Sequence, residues 1–229
     1  MTDMYKLSPR LKKIAGLVPK FASVADIGAD HGYLSIFIEK TKSPQKIIAC
    51  DINEKPLSLA KKNIEKSGCE RIETRLSDGL DEIDNDEIDT VIIAGLGGEV
   101  ISGIIERAPW LKSGEYTLIL QPMTAAVWLR RFLAKNGFKI VYESAVKDAG
   151  KIYSVIKAQY TKVEEQQEEA FFYIGKLNPE NETDAEYIKK QVKIAEECKN
   201  ALLGIKQKEQ KFEYYQKLIE QLKGILGEN

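Results

Sequence analysis

The sequence runs to 229 residues, with 34 Lys and Arg against 35 Asp and Glu and a single His, a size that accommodates one α/β domain with a sizeable core and a smaller appendage. The near-neutral balance excludes a global field that draws the protein to nucleic acid or membrane, so an RNA partner has to be met by a local basic patch. Three cysteines, Cys50, Cys69 and Cys198, with no C-x-x-C spacing argue against a disulfide framework and against a metal site.

Residues Met1 to Lys13 are polar and charged, and no apolar run approaches the roughly 20 residues of a membrane span. A reduced, cytoplasmic protein without a membrane partner is the expectation. Leu7 to Val18 reads as a helix, because Leu7, Leu11, Ile14 and Leu17 recur at three- and four-residue steps while Lys6, Arg10, Lys12 and Lys13 stay wet. Strand-length apolar runs follow at 23–29, 46–52, 72–77, 89–95, 116–121, 140–145 and 152–158. The first five are read as nearly uniformly apolar, as strands covered on both faces by helices are, and the last two as more mixed. Segments 34–38, 55–66, 100–107 and 124–136 between them have helical spacing, with Gly68 and Gly137 as stop signals. This alternation predicts an α/β, Rossmann-like doubly wound sheet with an antiparallel edge.

Beyond Tyr160 the strand signals stop. Ile188, Val192, Ala195, Leu202 and Ile205, then Phe212, Tyr215, Ile219, Leu222 and Leu226, alternate three- and four-residue steps, the period of a coiled-coil seam. A break near 204–209 folds this part into an antiparallel hairpin; the alternative is one long helix. Thr161 to Leu177 is expected to be a shorter helix ending before Asn178-Pro179. The predicted domains are therefore 1–160, Rossmann-like, and 161–229, all-helical and coiled-coil-like.

The chemistry starts at Asp26-x-Gly28-x-x-x-Gly32 after the first strand. A dinucleotide site uses G-x-G-x-x-G to set a helix N-terminus against a pyrophosphate, and that spacing is absent. Acid-x-Gly-x-x-x-Gly is the spacing of class I methyltransferases. Their donor, S-adenosylmethionine, carries a sulfonium and an ammonium, which acids such as Asp26 and Asp30 suit better than an anion nest does. Asp51 closes the second strand, where a carboxylate holds ribose hydroxyls. Ser77-Asp78-Gly79 follows the third: Asp78 can accept from an adenine amino group, with Ile52, Leu76 and Leu80 packing the ring, although Asp-Gly is also an ordinary turn. Gly95-Leu96-Gly97-Gly98 follows the fourth strand and leaves backbone open to a flat base; a flexible turn is the alternative. His31 in the glycine loop invites a general-base role, with a structural hydrogen bond as the alternative, and Tyr33 lies near the crevice or in the core; both are candidates for contact with the substrate.

Asp26-Ile27-Gly28-Ala29-Asp30-His31-Gly32-Tyr33-Leu34, with Ser77-Asp78-Gly79-Leu80, Ala94-Gly95-Leu96-Gly97-Gly98 and Gln121-Pro122, resembles the bacterial TrmK family over the whole chain. The resemblance implies methylation of N1 of adenine 22 in tRNA. It implies cofactor contacts at Asp26, Gly28, Asp51, Asp78 and Gly79, and a target-base site around Gly95, Gly97, Gly98 and Gln121; the strand-end reading adds Ile52 and Ser77 to the cofactor side. Adenine N1 carries a free lone pair, so positioning can supply much of the catalysis. Asp30 is expected to assist by accepting the proton that the cationic product later releases. N1 lies on the pairing edge, so the base must be unpaired or flipped. Lys6, Arg10, Lys12, Lys13, Lys20, Arg130 and Arg131 are candidates for phosphates, or an ordinary solvated surface. Another methyl acceptor, or a non-catalytic RNA-binding protein with a vestigial pocket, are the alternatives.

Overall fold

The computed structural model describes residues 7–113, 115–163, 167–204 and 208–228. Lys6 lies outside them. Helix α1, Pro9–Leu17, starts where Ser8 accepts the Leu11 N–H and Pro9 takes the first turn, in which its missing donor costs nothing. Seven strands follow: β1 Ser23–Ile27, β2 Lys46–Asp51, β3 Ile72–Leu76, β4 Thr90–Gly97, β5 Thr117–Thr124, β6 Phe138–Asp148 and β7 Lys151–Tyr160. They form one sheet in the order β3-β2-β1-β4-β5-β7-β6. The first five are mutually parallel, and β7 runs antiparallel to both neighbours. The antiparallel strand is thus the penultimate one, with β6 outside it. Ala149 and Gly150, both at positive φ, close the two-residue turn between them.

Helices α2 (Tyr33–Lys42), α3 (Glu54–Ser67), α4 (Gly98–Arg107) and α5 (Ala126–Lys135) cover the sheet. Alternation along the strands divides the core between its faces. Ala25, Ile27, Ile48, Val91, Ile93, Leu118 and Leu120 pack with Ile101, Ile105, Leu129 and Leu133 of α4 and α5. Val24, Ile47, Ile92, Ile119 and Val155 pack with Ile14 and Ala15 of α1 and Leu34 and Ile38 of α2.

The expectation of a uniformly apolar third strand is corrected. β3 is an edge, and its Glu73 and Arg75 point to solvent in a charge cluster with Lys46 and Glu87. An edge strand has neighbours on one side only, so charge there avoids the burial that a central strand imposes.

Beyond the sheet come α6 (Glu169–Ile174), α7 (Glu182–Asn200) and α8 (Glu209–Ile225). Among the described residues the predicted early helix, 161–177, is helical only over the six residues of α6; 164–166 lie outside the described residues. Lys189 pairs with Glu228 and Lys223 with Glu196, and the Lys199 ammonium lies over the Phe212 ring, so α7 and α8 form the antiparallel hairpin. Ile188, Val192 and Ala195 meet Leu218, Ile219 and Leu222 in its seam, as the heptad pattern predicts. The seam also takes in Ala145 of β6 and Ile152 of β7. Ile205 falls outside the described residues. Among the described residues no helix is long and apolar enough to cross a membrane.

Candidate active site

The carboxyl ends of β1, β2 and β4 and the turn after β3 open on one cavity of about 530 Å3. It is lined by Asp26, Gly28, Asp30, His31 and Tyr33 from the first corner, by Asp51, Ile52 and Asn53 from the second, and by Ser77, Asp78 and Gly79 from the third. Gly95 and Leu96, with Val100 and Ile104 of α4 and Arg10 of α1, complete it. The strand-end carboxylates Asp26, Asp51 and Asp78 therefore converge, as a doubly wound sheet requires.

Gly28 sits at φ 76°, where a side chain is strained, and its N–H and that of Ala29 both donate to the Cys50 carbonyl. That clamp brings the first turn against β2. Asp26 is 3 % exposed, and its Oδ2 accepts the Ser35 hydroxyl at 2.6 Å. Burial pushes its carboxyl up to about 6, the Ser35 bond opposing part of the rise. Asp51 Oδ1 accepts the Asn53 N–H at 2.9 Å, and Oδ2 the Asp30 N–H at 3.4 Å. Asp30, at φ 51°, lies 3.6 Å from His31 Nε2, and the His31 ring stands 5.7 Å from that of Tyr33. Both Asp30 and His31 are solvent-accessible.

Asp78 Oδ1 accepts from Arg107 Nη2 at 2.9 Å, a partner 29 residues away in sequence that no motif marks. Ser77 Oγ accepts the Glu82 N–H and donates to the Gly79 carbonyl, so this hydroxyl staples its own turn. Of the three expected ring-packing residues only Ile52 reaches the cavity. Leu80 is buried in the core, and Leu76 is exposed on the edge strand. Val100 and Ile104 supply the apolar wall instead, which the 3.6-residue period of α4 shows only once its N-terminus is placed.

Gly97, Gly98 and Gln121 do not line the cavity. A Cβ on Gly98 collides with the Ala125 carbonyl, so this glycine serves the packing of α4 on α5. Gln121 is fully buried: Oε1 accepts from Arg10 Nη1 at 2.6 Å and from the Gly95 N–H at 3.2 Å, while Nε2 donates to the Pro122 carbonyl at 2.8 Å. Its amide is spent inside the protein, where it fixes the Gly95 loop rather than meeting a base. Arg10 also lies 3.4 Å from Asp148, which accepts the Ser8 hydroxyl at 2.7 Å.

Arg130 is a second correction. It is fully buried, paired with Glu143 at 2.7 Å, and donates to the carbonyls of Phe172 and Tyr173. A guanidinium so enclosed meets no phosphate; it ties α5 and β6 to α6. Arg131 pairs with Glu169 and stacks over Phe172. Lys13 lies over the Tyr142 ring, and Lys12 and Lys20 are exposed. Among the described residues no group of three or more His, Cys, Asp or Glu is placed to hold a metal ion.

Residues 7–156 match the family model described as a methyltransferase domain. The chain is 38 % identical over 155 residues to the tRNA (adenine(22)-N(1))-methyltransferase of Bacillus subtilis, an alignment that spans 67 % of this chain and 65 % of that enzyme. The fold superposes on the crystal structure of the B. subtilis enzyme TrmK with a TM-score of 0.85 at 29 % identity, covering 97 % of this chain and 99 % of the other. The chain belongs to the TrmK family. A second TrmK, from Mycoplasma capricolum in complex with the cofactor product S-adenosylhomocysteine, superposes with a TM-score of 0.78 at 29 % identity over 96 % of this chain and 98 % of that one. S-adenosylmethionine is the methyl donor of the TrmK family, and the carboxylates of Asp26, Asp30, Asp51 and Asp78 around one cavity fit such a cationic ligand.

Proposed function

We propose that this chain transfers a methyl group from S-adenosylmethionine to N1 of adenine 22 in tRNA, in the cytoplasm where that RNA is found. The convergence of Asp26, Asp51 and Asp78 on one cavity beside the Gly95 loop carries the reading. Bound there, S-adenosylmethionine supplies an electrophilic methyl on a cationic sulfur. Asp26, enclosed and close to its ionisation point, balances the cationic end. Asp51 offers its two oxygens to ribose hydroxyls, and Asp78 accepts from the adenine amino group, its free oxygen remaining after the Arg107 pair. Val100 and Ile104 cover the ring.

Gly95, at φ 80° and held by Gln121, leaves the cavity mouth open to a planar base. The neutral adenine needs no base before transfer, because N1 has its lone pair in the plane of the ring. In-line placement of nucleophile, methyl and sulfur is the work the site must do. Asp30, exposed at the mouth, is suited to take the amino proton that the N1-methylated product releases, with solvent as the alternative acceptor. His31 and Tyr33 form an aromatic step at the same mouth, suited to a splayed nucleotide. In this reading residues 1–160 hold the donor and perform the transfer, and residues 161–229 hold the RNA.

Methyl transfer to tRNA transcripts, with N1-methyladenosine quantified after digestion, tests the assignment. Activity on the native transcript and its loss when adenine 22 is replaced by guanine are expected. Undiminished methylation of the substituted transcript refutes the target, and no transfer to any transcript refutes the reaction.

A further inference from the structure

A second cleft, of about 270 Å3, lies between the β5–α5 connection, the start of β7 and helix α7. It adjoins the proposed target-base site: Thr124, which lines it, pairs with Gly97 in the β4–β5 ladder, next to the loop that carries Gly95. Its floor is the N-terminus of α5. That ten-residue helix starts at Ala125 in the left-handed conformation with no side chain capping its first turn, so the leading N–H groups are left for another acceptor. Lys190 stands at the rim, exposed, with one long contact of 3.5 Å to the Ile152 carbonyl.

Gln191 is 8 % exposed, lines the cleft, and makes no hydrogen bond within the described residues. Its amide atoms are not sealed in the core, the buried side-chain atom without a partner among the described residues being Gln221 Oε1, so they open on the cleft with their donors and acceptor unused by the protein. Met123, Tyr153 and Ile194 add an apolar wall, with Met123 and Ile194 each about 40 % exposed. Anion-seeking N–H groups, one cation, one unpaired amide and an aromatic face together match a single nucleotide.

We propose that this cleft receives the nucleotide adjacent to the methylated adenine, its phosphate against the α5 N-terminus and Lys190, its base on Tyr153 and read by Gln191. The inference rests on the proposed reaction with tRNA. It gives α7 a reading role beyond charge, and it gives the flipped adenine a fixed neighbour, so that the strand is held on both sides of the reacting atom.

Lys190→Gln, Lys190→Arg and Gln191→Leu in the full chain test it, with folding checked by thermal melting and donor affinity by calorimetry. For Lys190→Gln, KM for tRNA rises about tenfold with kcat retained, the loss of one charged hydrogen bond. The salt dependence of log Kd for tRNA also flattens by about 0.7 to 0.9, one phosphate contact. Lys190→Arg restores both, and Gln191→Leu raises KM without changing the salt slope. Wild-type KM and slope in Lys190→Gln and Gln191→Leu, alongside an active wild type, overturn the subsite alone. A wild type that leaves tRNA unmethylated overturns the proposed reaction and the subsite with it.

Discussion

Asp26 combines two demands that conflict. The first strand drives it into the sheet, where it is 3 % exposed, and the donor it faces asks it to be charged. Its carboxyl titrates at about 6 in the folded protein against an ordinary 3.8. The folded state therefore binds the proton more tightly than the unfolded chain. That contribution to stability is complete below pH 3.8 and is lost as the pH rises through about 6, a difference of roughly 3 kcal/mol. Asp26→Asn removes the titration. At pH 8 the variant is expected to be more stable than the parent by up to about 3 kcal/mol, the gap closing below pH 4 in denaturant titrations, while its affinity for S-adenosylmethionine falls. In the parent, donor affinity rises as the pH passes through about 6. Asp78→Ala, which removes a hydrogen-bond acceptor at an open position, is expected to weaken the donor by about tenfold in calorimetry and to leave tRNA affinity unchanged. Equal donor affinity in parent and variant refutes the role of Asp78. These acids were legible in the sequence because each ends a strand-like run. Arg107, Val100 and Ile104 were not, since a helical residue reveals its facing only when the helix start is fixed. Gln121 was legible as a position but not as a role, because the Arg10 that consumes its oxygen comes from a segment 111 residues earlier.

Gly175 shows how one element constrains another. It ends α6 at φ 60°, and a Cβ there collides with the Glu143 carboxylate and lies 2.8 Å from Arg130 Nε. The buried pair is thus built around a missing side chain. Gly175→Ala must either strain the backbone or part Arg130 from Glu143, leaving two buried charges without compensation. Its expected cost is about 3 to 5 kcal/mol, read as a fall in the denaturation midpoint with the slope unchanged. A loss below about 1 kcal/mol shows that α6 can move away from the pair. Charge pairs between elements leave no periodic trace, which is why Arg130 read from sequence as a surface cation. The seam of α7 and α8 was legible, since it repeats on one face, whereas the break near 204–209 was one of two readings, because the heptad phase also allows a single long helix.

At the scale of the whole molecule, sheet and hairpin share material: Ala145 and Ile152 belong to the hairpin's core, and Arg130 reaches from α5 to the carbonyls of α6. One cooperative thermal transition is expected, and donor binding shifts all of it. At a hundred times its dissociation constant, S-adenosylmethionine adds about 2.7 kcal/mol, which for a chain of this size raises Tm by roughly 5 to 10 °C. Two separate transitions, with only one moved by the donor, contradict the shared core. The division at residue 160 seen in the composition marks where strands end; the packing continues across it, which composition has no means of showing.

The charge cluster on β3 has a consequence for behaviour in concentrated solution. Glu73, Arg75, Lys46 and Glu87 crowd the shorter of the sheet's two edges, β3, the other being β6, at a border where a strand from another molecule could add itself. With Glu73 and Arg75 replaced by threonine and valine, that side becomes a bare template of high strand propensity, and time-dependent light scattering on warming is expected to rise well above that of the parent. An unaltered scattering trace indicates that the turn after β3 shields the border by itself.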